Sequence, residues 1–330
     1  MHFLLKQAIC YPGFGVKANE DAVGYGKDYC FAMDGASSLT GKHILGDVSD
    51  AAWMSQRVKT ELCALLDSGD DRPTRELLLQ IMSGIRREYV AILQAKGIEA
   101  PEDSPSAGFS LFRQRHGRLE FFGLGDCVGM TTQPDGSFFY SLEENLPNLD
   151  GKVLAKMLEL HKTTGMTMKE AGAHCKDMLI RHRNLRNKPG GYWILDLLTD
   201  DGIYNATEKT WELTKPVAVA AVSDGFAQLT EVFGTYRDYE DLYEAMQETD
   251  LEEMFFEALR HAGRRPGSER LPPVQAPGRY QRPLGNIHAI KLTRLRLQPG
   301  FVCRYSSNSD LAGSARGQFR TRDYTNRWAP

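Results

Sequence analysis

Between Ala107 and Tyr140 the chain passes through four short apolar segments, at Ala107–Phe112, Leu119–Leu124, Val128–Thr131 and Ser137–Tyr140. Their connections are too brief to hold a helix. Two of them, "RQRHGR" (113–118) and "QPDGS" (133–137), between them carry the Gly, Pro and Asp that close tight turns. Such spacing predicts antiparallel hairpins, because parallel neighbours need crossovers of roughly a dozen residues or more. Phe3–Ile9, Tyr29–Met33, Tyr192–Leu197 and Pro216–Val222 are further strand candidates. Helical periodicity interrupts this series in blocks. Ser49–Leu66 and Thr74–Lys96 repeat apolar residues at three- and four-residue steps, Tyr239–His261 is rich in helix formers, and a further helical stretch is expected between Lys152 and His182. Strands in runs, with helices inserted in pairs, predict an α+β layered fold and not alternating βαβ units.

The 330 residues, 42% of them hydrophobic, suffice for one large domain or two ordinary ones. The longest apolar runs fall far short of a membrane span, and the first residues show no cleavage pattern, so neither secretion nor an anchor is expected. Six cysteines at 10, 30, 63, 127, 175 and 303 show no C-x-x-C spacing. A cytoplasmic protein without a zinc site or disulfide framework is therefore expected. The net charge of −3 conceals a division: residues 1–262 carry 27 Lys+Arg against 40 Asp+Glu, and residues 263–330 carry 13 against 3. The organisation expected is a folded domain over 1–262, a Pro/Arg-rich segment with a final strand over 263–296, and a basic, disordered tail over 297–330.

Four elements place acid where an apolar strand ends: "NEDAVGYG" with Asn19, Glu20 and Asp21, "FAMDGASS" with Asp34 and Gly35, "FFGLGDCVGM" with Gly125 and Asp126, and "VAVAAVSDGF" with Ser223, Asp224 and Gly225. One such aspartate is accounted for as a turn former. Four are not, because strands in facing sheets would bring their carboxylates to one rim, where they repel unless a cation lies between them. Oxygen-only ligands, with no matching His or Cys cluster, suit Mg²⁺ or Mn²⁺. Two such ions about 3.5–4 Å apart can deprotonate a bridging water and neutralise a phosphate under attack.

In order and spacing, the elements "NED", "DG", "GD" and "SDG" resemble the PP2C (PPM-type) metal-dependent serine/threonine protein phosphatases, in their compact bacterial form. The resemblance runs over about residues 5–262 and lies in motif order. It implies a four-layer α-β-β-α sandwich, two antiparallel sheets flanked by helices, with a dinuclear Mg²⁺ or Mn²⁺ centre at one edge. In that scheme Asp34 bridges the two ions and the Gly35 carbonyl ligates one of them. Glu20 holds metal-bound water with Asp21 in support, Asp224 ligates the first ion, and Asp126 helps bind a weaker third ion. The implied activity is hydrolysis of phosphoserine and phosphothreonine in a phosphorylated protein substrate, by a monomer.

Two positions depart from the pattern. The family's phosphate-gripping arginine would fall at Val16, leaving Lys17 as the basic neighbour, a point charge without the bidentate fork. The family's last strand begins with a metal-binding aspartate, where this chain has Gly285 followed by Asn286, a neutral oxygen donor. Losing a carboxylate weakens a shared site, so a phosphatase-like binding or regulatory protein is the alternative reading. Asp200 and Asp201 read as a turn closed by Gly202, "KPGGYWIL" (188–195) as structural, and Cys127 as a small buried thiol. The arginine-rich tail lacks interleaved aromatics, so nucleic acid is not an expected partner.

Overall fold

The structure is a computed structural model. It describes residues 3–10, 19–36, 43–45, 49–99, 101, 103–141, 143, 145–231, 233–256 and 291–297. Every described residue lies within one compact unit, Met1–Pro299.

Two antiparallel sheets form the centre. In the first, the order is β1 (Phe3–Cys10), β11 (Lys291–Leu297), β10 (Ala218–Val222), β6 (Val128–Thr132) and β7 (Phe138–Tyr140). In the second it is β2 (Ala22–Tyr25), β3 (Tyr29–Ala36), β4 (Ser106–Arg115), β5 (Arg118–Leu124) and β9 (Thr207–Glu212), with the two-residue β8 (Leu195–Asp196) beside the start of β4. The hairpin expected around residues 113–118 is the β4–β5 pair, and that around 133–137 is β6–β7.

Layering follows from which face of each strand is apolar. Along β3, Tyr29, Phe31 and Met33 pack against α1 (Asp50–Asp67) and α2 (Thr74–Ala95), with Met54, Val58, Leu77, Ile81 and Ile85 from the helices. The intervening Cys30 turns to the opposite face and joins Phe112, Phe121 and Val219 between the sheets, as the two-residue period of a strand requires. On the far side, Val128, Met130, Ala220 and Val222 bury against α7 (Asp224–Glu231) and α8 (Tyr239–Glu248). Helix, sheet, sheet, helix is thus the observed order of layers.

Several elements depart from the sequence reading. β2 and β9 went unrecognised: β2 is four residues long, and β9, "TEKTWE", is an exposed edge strand whose polarity carries no strand signal. The expected helix over Tyr239–His261 ends at Glu248, Asp250 opens a second helical stretch at 251–256, and residues 257–261 lie outside the described residues. The helical stretch expected after Lys152 is three helices, α3 (Asn145–Thr164), α4 (Met168–His174) and α5 (Lys176–Arg183). Where a turn closed by Gly202 was expected, Asp201 and Gly202 begin the four-residue α6 (Asp201–Tyr204), and Asp200 is ion-paired with Arg86. Among the described residues no helix is long and apolar enough to cross a membrane.

Candidate metal centre

Side chains between the sheets shrink toward one end. On the inner face of the second sheet, Cys30 pairs with Phe112, Ala32 with Ser110, and Asp34 with Gly108. On the facing sheet Val219 pairs with Thr131, and Ala221 with Gly129. The sequence from large and apolar, through Ala, Ser and Gly, to carboxylate places polar groups at the end of the sandwich. The layers touch there: a Cβ added to Gly129 would lie 2.8 Å from Ser110 Oγ.

Gly108 carries the key contact. A Cβ on it would come within 2.9 Å of Asp126 Oδ1 and 3.2 Å of Cys127 Sγ. The β5–β6 connection therefore lies directly on the residue that faces Asp34 across the ladder. Gly125 makes this possible with φ +67, a left-handed conformation that favours glycine, while its amide donates to the Trp193 carbonyl at 2.7 Å. Asp224 reaches the same end because Val222, the last residue of β10, pairs with Val128, the first of β6. Two residues beyond those partners stand Asp224 and Asp126. Asp224 opens α7, where the positive end of the helix dipole favours a negative charge.

The Cys127 thiol registers this convergence. Burial pushes it well above the ordinary thiol range, and the negative charges of Asp34, Asp126 and Asp224 push it further. The first motif joins through backbone contact: a Cβ on Gly35 would lie 2.2 Å from the Glu20 carbonyl oxygen, so the two segments pass closer than any side chain there would permit. Glu20 accepts a hydrogen bond from the Ser49 hydroxyl. Asp21 is buried; its amide donates to Asn19 Oδ1 at 3.2 Å and its carbonyl accepts from Gln56 Nε2 at 3.0 Å. These contacts hold the segment in shape.

Asp34, Gly35, Asp126, Asp224 and Glu20 thus gather at one end of the sandwich. Asp34 Oδ2 and Asp224 Oδ1 are shut off from solvent, and buried carboxylates are costly without compensating charge. Among the described residues no three His, Cys, Asp or Glu side chains are drawn together as a metal-holding group. The donor set still fits Mg²⁺ or Mn²⁺, because such an ion takes one or two carboxylates and retains several waters. Asp34, Asp224 and the Gly35 carbonyl meet that requirement with oxygen alone. Lys17, Gly285 and Asn286 lie outside the described residues.

Three contributors escaped the sequence reading. Gly108, in "SAGFSL", has no local signal. Ser49 has one, since Ser before a helical block is a cap residue, but nothing in sequence links it to Glu20. The third is a buried network in which Arg186 Nε meets Asp196 Oδ2 at 2.9 Å and Arg186 Nη2 meets Asp103 Oδ1 at 3.3 Å. Arg186 Nη1 also donates to Ser106 Oγ at 2.8 Å, which ties the return from α5 to the start of β4.

The profile of the protein phosphatase 2C family matches residues 17–272. The chain belongs to that family. Among solved structures it is similar to the serine/threonine phosphatase PstP/Ppp of Mycobacterium tuberculosis, at 16% identity and a TM-score of 0.50, covering 90% of this chain and 100% of that one. It is also similar to the serine/threonine phosphatase Stp1 of Staphylococcus aureus, at 12% identity and a TM-score of 0.50, covering 89% and 96%. At such identity the likeness shows the fold, an α-β-β-α sandwich. No curated protein matches the chain.

Proposed function

We propose that the protein is a metal-dependent phosphoprotein phosphatase that hydrolyses phosphoserine or phosphothreonine at a dinuclear Mg²⁺ or Mn²⁺ centre, acting in the cytoplasm. One observation carries the reading: Asp34 faces Gly108, on which a Cβ would lie 2.9 Å from Asp126 Oδ1, and Asp224 and Asp126 stand two residues beyond the paired ends of β10 and β6. Bound divalent ions would supply a water nucleophile and neutralise the phosphate under attack. The protein's own residues do the rest. Asp34 and Asp224 would hold the ions with the Gly35 carbonyl, Asp126 would help bind a weaker third ion, and Glu20 would hold metal-bound water. Asp21 holds the segment that presents Glu20. Lys17 would attract the substrate phosphate as a point charge.

Gly285 supports a second reading. With glycine in place of an aspartate, and Asn286 as a neutral donor, the site would hold metal less tightly, as suits a phosphatase-like binding protein. Turnover of p-nitrophenyl phosphate with Mn²⁺, beside a calorimetric Mn²⁺ titration, separates the two. The enzyme reading expects Mn²⁺-dependent turnover that Asp34→Asn and Asp224→Asn each abolish, and tighter Mn²⁺ binding in Gly285→Asp. Turnover unchanged in both asparagine variants refutes the assignment. Mn²⁺ binding without turnover in the parent, with turnover appearing in Gly285→Asp, establishes the second reading.

A further inference from the structure

We propose that Ser49 is a positioning residue that fixes the Glu20 carboxylate at the metal-binding end of the sandwich, an inference that rests on the reading of the site given above. Ser49 is buried, 9% exposed, and precedes the 18-residue α1 as its N-cap. Its hydroxyl has one proton to give. That proton goes to Glu20 Oε1 in a close contact. As a cap, the same oxygen accepts from the Ala52 amide at 3.4 Å, beyond the usual 2.7–3.2 Å range of an N–H···O bond. The geometry of Ser49 is therefore better matched to holding Glu20 than to closing the helix.

The support behind Ser49 is firm. Asp50 accepts from the amides of Ile44 and Leu45 at 2.9 to 3.0 Å, which pins the first turn of α1. One turn further, Gln56 Nε2 binds the Asp21 carbonyl at 3.0 Å. Met54, Val58 and Leu62 anchor the helix in the core, all fully buried. The helix thus grips the Asn19–Asp21 segment at two points, while the Glu20 carbonyl packs on Gly35 at a third. Glu20 is thus held at both ends, its backbone at Gly35 and its carboxylate by Ser49. A glutamate that must hold water beside a cation needs this, because a site seated on a rigid element is more exact than one left to a free side chain. Loss of such an outer partner typically costs 10–100-fold in metal affinity or activity.

The test is a cycle of Ser49 and Glu20 variants of the full chain, read as Mn²⁺ affinity by calorimetry and as kcat and KM for p-nitrophenyl phosphate. Ser49→Ala is expected to weaken Mn²⁺ binding about 10-fold and to lower kcat about 10-fold with KM little changed, and Ser49→Thr to restore both. In a Glu20→Gln background, Ser49→Ala should cost less than about twofold more, since the two residues act as one unit. Ser49→Gly separates this role from helix capping: glycine at an N-cap costs only about a few tenths of a kcal/mol but has no proton for Glu20, so the melting temperature should nearly hold while kcat falls. A full additional loss from Ser49→Ala on top of Glu20→Gln, or parent kcat in Ser49→Gly, overturns the role of Ser49 alone. A parent protein that binds no Mn²⁺ overturns it together with the reading of the site.

Discussion

Replacing Gly35 with alanine tests the closest contact at the site. The added Cβ would lie 2.2 Å from the Glu20 carbonyl oxygen, 3.0 Å from its carbonyl carbon and 3.0 Å from its Cβ. Real Cβ atoms keep at least 3.0 Å from other heavy atoms, so the two segments must part by no less than 0.8 Å. The obstructing atom is backbone, which no change of rotamer can move aside. Overpacking of this kind costs about 1–3 kcal/mol, and a misplacement of about 1 Å among reacting groups costs about 100-fold in rate. Gly35→Ala is therefore expected to lower the melting temperature by several degrees, at about 2–4 °C per kcal/mol, and to cut Mn²⁺-dependent kcat by about two orders of magnitude. Gly84→Ala is the control. Its Cβ meets nothing within 4 Å, and it lies inside α2, where alanine is favoured over glycine by about 1 kcal/mol. That variant should melt higher with unchanged turnover. Parent-like melting in Gly35→Ala would refute the argument from close approach, and parent-like kcat in a destabilised Gly35→Ala would refute the link from Gly35 to the chemistry.

Arg186→Ala is expected to destabilise by about 3–5 kcal/mol in urea unfolding, because it removes the cation paired with Asp196, only 5% exposed. A loss below about 1 kcal/mol would mean that the network contributes no more than a surface ion pair. Hydrogen bonds from Arg72 hold the Asp70 carboxyl down at about 2, against an ordinary 3.8. A depressed folded value favours the charged form, so the contribution is present above about pH 4 and is lost as pH falls toward 2. Asp70→Asn should therefore have a lower urea midpoint than the parent at pH 7, with the gap narrowing below pH 4; a gap independent of pH would contradict the pairing.

How much was legible depended on how local the information is. The apolar runs "YCFAM" and "VAVAAV" are set by burial on both faces, and the helical steps from Ser49 to Lys96 by burial of one, so β3, β10, α1 and α2 could be read directly. β9 could not, because an exposed edge strand has no apolar face to betray it. The helix after "SDG" was missed because "DGFAQLTE" is too short for periodicity to speak, although it buries six of its eight residues. Four acidic motifs were visible, and their order indicated a family.

What the sequence determined by itself was the layered fold class and the identity of the acidic motifs, because alternation, turn chemistry and the residues at strand ends are properties of neighbouring residues. Tertiary structure alone decided that Asp126 rests on Gly108 opposite Asp34, that the Glu20 backbone touches Gly35, that Ser49 holds the Glu20 side chain, and that Arg186 ties α5 to β4. Those contacts depend on register and on the approach of two sheets. A glycine that makes room for a carboxylate more than a dozen residues away carries no mark of that role in its own stretch of chain.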